Sequence, residues 1–184
     1  INSIDSAMIM FQNIITMATV ATHKYSRLKG NPQLLADIEY AIGILTKYYY
    51  GNNIVWFGWN VWYQKIGFQL RAGDIAVLLY GEIDETKLKD FCTEILSQLP
   101  PDYMLYSGTN AYDTGGGAAK MGAILGLDYL MENIGKKIQQ DLVYKTQKGQ
   151  KDGYYTDGSY VFHEAVPYVG TYGAAGYAYF RQVL

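Results

Sequence analysis

Apolar residues recur at three- and four-residue steps along most of the chain, the spacing of one face of an α-helix. Met8, Phe11, Ile14, Ile15 and Ala18 carry that period through a first helix expected over 5–27. Gly30-Asn31-Pro32 closes it and opens a second, with Asn31 as N-cap and Pro32 in the first turn, where a missing N–H is tolerated. Leu34, Leu35, Ile38, Ile42 and Leu45 extend this helix toward Tyr48-Tyr49-Tyr50. The pattern predicts a third helix through Leu70 to Tyr80. A fourth runs from an Asp84 cap through Leu88, Phe91, Ile95 and Leu99 to the stop at Pro100-Pro101. Residues 102–117, rich in Gly, Ser, Thr and Asn, read as loop. Met121, Ile124, Leu125, Ile134, Ile138 and Leu142 then support one long helix or two abutting ones. Residues 154–162 form the one strand-like stretch, and 172–184 begins a further helix. Helices of roughly 15 to 20 residues on short loops predict an all-α array of antiparallel helical hairpins.

Composition narrows the partners. A length of 184 residues with 49% hydrophobic and 17% charged residues suits one globular unit. The net charge of -2 and pI near 5.6 offer no broad attraction to nucleic acid or to an acidic membrane surface, so neither is expected as a partner. No uninterrupted apolar run approaches the ~18 to 20 residues of a bilayer span, and the first residues lack the basic segment of a signal peptide. The chain does not begin with Met and reads as a piece of something longer. Tyr 19 and Gly 20 against Pro 4 are the outlying counts, and tyrosine suits contact with flat polar ligands.

Unusual residues gather in three predicted loops: the tryptophan segment 56–67, the Ser107 to Asp113 stretch and residues 152–173. Trp56, Trp59 and Tyr63 keep helical spacing and read as packing, whereas Trp62 lies off that stripe and is the ligand-facing candidate. His23 falls within the first predicted helix with nothing catalytic beside it. His163 stands nine residues before Tyr172 in a glycine- and tyrosine-rich stretch, and both side chains can exchange protons. With two distant histidines and only Cys92, neither a metal site nor a disulfide framework nor any cofactor is called for. Asp152, Asp157 and Glu164 lack the spacing of a helix–loop–helix calcium site. Gly115-Gly116-Gly117 lacks the Lys-Ser/Thr ending of a phosphate loop. A glycosidase could draw its two carboxyl groups from Asp113, Asp152, Asp157 and Glu164, and a glycan-binding module could use the aromatic residues alone.

Taken together, three ordered motifs resemble the catalytic α-domain of the polysaccharide lyase family that includes hyaluronate lyase, chondroitin AC lyase and xanthan lyase. Asp157-Gly158-Ser159-Tyr160-Val161-Phe162-His163 with Tyr168-Val169-Gly170-Thr171-Tyr172-Gly173 is similar to the family's His/Tyr signature. Asn60-Val61-Trp62 with Ile66-Gly67 is similar to its aromatic patch, with Val61 in place of a tryptophan, and Gly108-Thr109-Asn110 to its asparagine loop. The resemblance implies an incomplete α/α toroid, 1–184 being a single partial catalytic domain continued in the rest of the toroid and in β-sandwich domains. An Arg and a Glu that complete the family's site would lie beyond this chain. It further implies β-elimination on a uronate polymer of hyaluronan, chondroitin or xanthan type, with Asn110, His163 and Tyr172 catalytic and Asn60 and Trp62 binding substrate. A secreted or periplasmic location goes with it.

Overall fold

The computed structural model describes residues 4–50, 62–99, 108–141, 143–146, 152–163 and 166–174. Six α-helices dominate: α1 (Ile4–Thr22), α2 (Pro32–Ile44), α3 (Phe68–Leu79), α4 (Glu85–Ser97), α5 (Gly108–Leu125) and α6 (Asp128–Asp141). Three short strands follow: β1 (Gly153–Tyr154), β2 (Tyr160–Phe162) and β3 (Val166–Pro167), in an antiparallel sheet of order β1-β2-β3. Wider π-helical turns occupy Leu45–Tyr50, Tyr63–Gly67 and Val169–Gly173.

Local chemistry sets several helix ends. The Asn31 side chain accepts the Leu34 N–H at 3.0 Å and the Asp84 carboxylate accepts the Lys87 N–H at 2.9 Å, each satisfying a donor the helix itself cannot. α1 stops at Thr22, so His23 lies in the turn after the helix rather than within it. There the Gly30 N–H reaches back to the Ala21 carbonyl at 2.8 Å and closes the chain reversal.

Helices α1, α3 and α5 lie side by side, and each packs against its successor, α2, α4 or α6. These are helical hairpins in an all-α array. Phe11, Ile14, Phe68, Ile75, Phe91 and Met121 are among the side chains filling the space between the layers. α1 is long and apolar enough to cross a membrane, yet its stripe of Ala7, Phe11, Ile14, Ala18 and Ala21 is spent in this core. Cys92 is buried in α4, and burial pushes its thiol up to about 12, which makes it a packing residue.

The largest departure from the sequence pattern is α5, which begins at Gly108 inside the stretch expected to be loop; residues 102–107 lie outside the described residues. Its glycines explain both the loop-like sequence and the helix. A Cβ on Gly117 would collide with the Gln69 carbonyl, and one on Gly73 would stand 2.8 Å from Gly117 Cα, so α3 and α5 meet backbone to backbone. Tertiary packing supplies what helix propensity lacks. Gly115-Gly116-Gly117 thus lies within the helix and does not form a phosphate-cradling loop.

Candidate active site

The site is built on the β1–β2 hairpin. Asp157, Gly158 and Ser159 make its turn: Asp157 Oδ1 accepts both the N–H (2.9 Å) and the hydroxyl (2.7 Å) of Ser159, and Gly158 adopts φ 83°. Gly158 N–H bonds the Tyr155 carbonyl, and the Tyr155 N–H bonds the Ser159 carbonyl, which fixes Tyr154 opposite Tyr160. β2 therefore buries Tyr160 and Phe162, and the next residue leaves the sheet. That residue is His163, at φ 55°, the only non-glycine with positive φ among the described residues. A left-handed backbone away from glycine is uncommon and concentrates at functional positions. It leaves the imidazole exposed, edge-on to Phe162 (4.4 Å between ring centroids) and near Tyr168 (6.2 Å).

Tyr160 joins this hairpin to α5. Its hydroxyl accepts the backbone N–H of Thr109 at 3.2 Å and pairs with the Thr109 hydroxyl at 3.1 Å, so it caps the first turn of the helix. Gly108, at φ 58°, admits that contact: a Cβ there would lie 2.7 Å from the Tyr160 oxygen and 3.1 Å from the Phe162 ring. Burial, partly offset by Thr109, raises the Tyr160 pKa, which keeps the phenol neutral as a structural donor and acceptor. Asn110 follows Thr109, half-buried, and its Oδ1 accepts the indole N–H of Trp62 at 3.2 Å.

The third segment docks on the same tyrosine. Tyr168 N–H bonds the Tyr160 carbonyl at 2.8 Å, Tyr154 donates its hydroxyl to the Gly173 carbonyl at 3.0 Å, and Gly173 packs closely on Tyr160, where a Cβ would stand 3.2 Å from the Tyr160 Cβ. Tyr172 lies on the π-helical turn between these anchors. The structure therefore brings Trp62 into contact with Asn110 and ties the segments of Asn110, His163 and Tyr172 together through Tyr160. Asn60 and Glu164 lie outside the described residues. The sequence motif contains Tyr160, but its part as the common anchor depends on Thr109, distant in sequence.

Asp113 sits on α5 rather than in a loop, buried at 4% exposure, with no hydrogen-bond partner for Oδ1. Burial raises its pKa to about 7 against the pull of Arg71. Asp152 is also buried, and Asp157 is engaged by Ser159. As candidates for an opposed, solvent-facing carboxyl pair, these three are poorly placed.

Comparison with known proteins places these features in a family context. Residues 3–175 match the polysaccharide lyase family 8, N terminal alpha-helical domain. Xanthan lyase of Bacillus sp. (strain GL1) is 26% identical over 178 residues, covering 93% of this chain and 18% of that protein. Hyaluronate lyase HylB of Enterococcus faecalis is 29% identical over 145 residues, covering 69% of this chain and 13% of that protein. Among solved structures, the Streptomyces coelicolor A3 chondroitin AC lyase in complex with chondroitin sulphate superposes with a TM-score of 0.83 at 25% identity. The match covers 96% of this chain and 24% of that one. The chain thus spans less than a fifth of the length of the two sequence relatives.

Proposed function

The chain belongs to polysaccharide lyase family 8, and on that premise we propose that the full-length protein cleaves a uronate-containing polysaccharide by β-elimination. The observation that carries the reading is the common anchoring of three segments on Tyr160: the α5 N-terminus with Asn110, the left-handed turn with His163, and the turn with Tyr172. The polymers handled by the relatives, xanthan, hyaluronan and chondroitin, define the substrate class.

The chemical obstacle is the weak acidity of a C–H beside an ionised carboxylate, since removing the proton adds negative charge to that group. Asn110 answers it by donating amide N–H bonds to the carboxylate as the charge builds, an effect of about 3 to 4 kcal/mol per donor in comparable sites. His163 or a deprotonated Tyr172 takes the C5 proton. The C–H electron pair becomes the C4–C5 double bond, the C4–O4 bond breaks, and Tyr172 supplies the proton that leaves with O4. Each step is balanced without cofactor or metal. Trp62 and Asn60 hold the sugar in register.

The remaining partner is the rest of its own polypeptide, with 1–184 as a partial toroid domain. Because the polymers are too large to cross a bilayer, the protein works outside the cytoplasm, secreted or periplasmic. Ultraviolet absorbance of the unsaturated uronate product tests the reading; release of reducing ends without that absorbance would indicate a hydrolase instead.

A further inference from the structure

We propose that Trp62 is a positioning residue for Asn110: its indole N–H holds the amide so that the NH2 group, and not the oxygen, faces the substrate carboxylate. The inference rests on the reading of Asn110 as the group that binds this carboxylate. A primary amide has a donor end and an acceptor end of nearly the same shape, and a half-turn of the terminal torsion exchanges them. Toward an anion, one orientation attracts and the other repels. Indole nitrogen is a donor only, so its 3.2 Å contact with Asn110 selects the oxygen end. In the reversed orientation two donors would face each other and a lone pair would face the carboxylate, so both contacts disfavour it.

Trp62 is itself held in place. It precedes the π-helical turn Tyr63–Gly67, in which residues five apart stack, and Gly67 lies beneath the indole: a Cβ there would come within 2.8 Å of ring atom Cζ3. Tyr63 packs against the indole at 5.7 Å between centroids, nearly perpendicular. The spacing of Trp62 and Gly67 thus acquires a physical reason, since the turn is wide enough for an indole only when its fifth residue has no side chain. On the other side, Asn110 is fixed by the first turn of α5, where its carbonyl accepts the Thr114 hydroxyl at 2.9 Å.

The test uses Trp62→Phe in the full-length protein, which keeps a flat ring for the sugar and removes the N–H. The expected result is a fall in kcat of at least about tenfold with KM changed by about twofold or less. The Asn110→Ala/Trp62→Phe protein should be no slower than Asn110→Ala alone. A raised KM with intact kcat would show that Trp62 only stacks, and overturns the proposal. A second readout is independent of turnover. With 15N-labelled tryptophan, the indole resonance missing from Trp62→Phe should shift and lose protection from hydrogen exchange in Asn110→Ala; no change there also overturns it. If the wild-type protein yields no unsaturated product from any uronate polymer, the lyase reading fails, and that resonance still decides whether Trp62 holds Asn110.

Discussion

The Tyr160 hydroxyl meets Thr109 twice, at 3.2 Å to the backbone nitrogen and 3.1 Å to the side-chain oxygen, joining the hairpin that ends in His163 to the helix that presents Asn110. Both residues are buried, so Tyr160→Phe removes two hydrogen bonds from inside the fold. The expected cost is about 1 to 3 kcal/mol of stability. Because the hydroxyl also sets the distance between the two segments, kcat should fall by about tenfold or more while the protein remains folded. Urea denaturation and turnover on the same preparation check both; unchanged stability would mean that the contact is not formed.

Two neighbouring glycines in α5 should respond in opposite directions. Gly117→Ala forces a methyl group against the Gln69 carbonyl and should destabilise by several kcal/mol or prevent folding. Gly116 has nothing within 4 Å of its Cβ position, so Gly116→Ala should gain about 0.5 to 1 kcal/mol from helix propensity. Thermal melts of the two variants make the comparison, and equal effects would contradict the backbone-to-backbone contact of α3 and α5.

This contrast shows what the sequence could and could not reveal. Periodicity located α1 to α4 because their apolar stripes and the Asn31 and Asp84 caps are local signals. Only the first half of α5 was hidden, since Gly108 and the Gly115 to Gly117 run are what a loop is made of and the proximity of α3 makes a helix of them, while Met121, Ile124 and Leu125 mark its second half. Trp62 stands out by lying off the packing stripe and His163 by its nine-residue step to Tyr172, whereas Asn110 is singled out only by resemblance to the family's asparagine loop. The bond from Trp62 to Asn110 and the anchoring by Tyr160 could not be read there, because each joins residues about fifty positions apart.

Asp113 predicts a pH dependence of stability. Its carboxyl holds a proton up to about 7 in the folded protein, against an ordinary value of 3.8, chiefly because it is buried. The folded state therefore binds more protons than the unfolded state between those values. This contribution is fully present below about pH 4 and is lost as pH rises through 7, at up to about 1.4 kcal/mol per pH unit. Asp113→Asn should flatten the fall in melting temperature between about pH 4 and 7. Parallel profiles for the two proteins would place the ionised carboxylate in a solvated setting.

On the proposed mechanism, the segments gathered by Tyr160 perform an elimination with Tyr172 as proton donor to the leaving oxygen. It is tested most directly by following ultraviolet absorbance as the full-length protein and its Tyr172→Phe variant act on hyaluronan, chondroitin and xanthan. The expected result is a steady rise on at least one polymer with the wild-type protein, and a rate at least about 100-fold lower for a correctly folded Tyr172→Phe protein. Near-normal turnover by Tyr172→Phe, reducing ends without absorbance, or saturable binding with no product would contradict it.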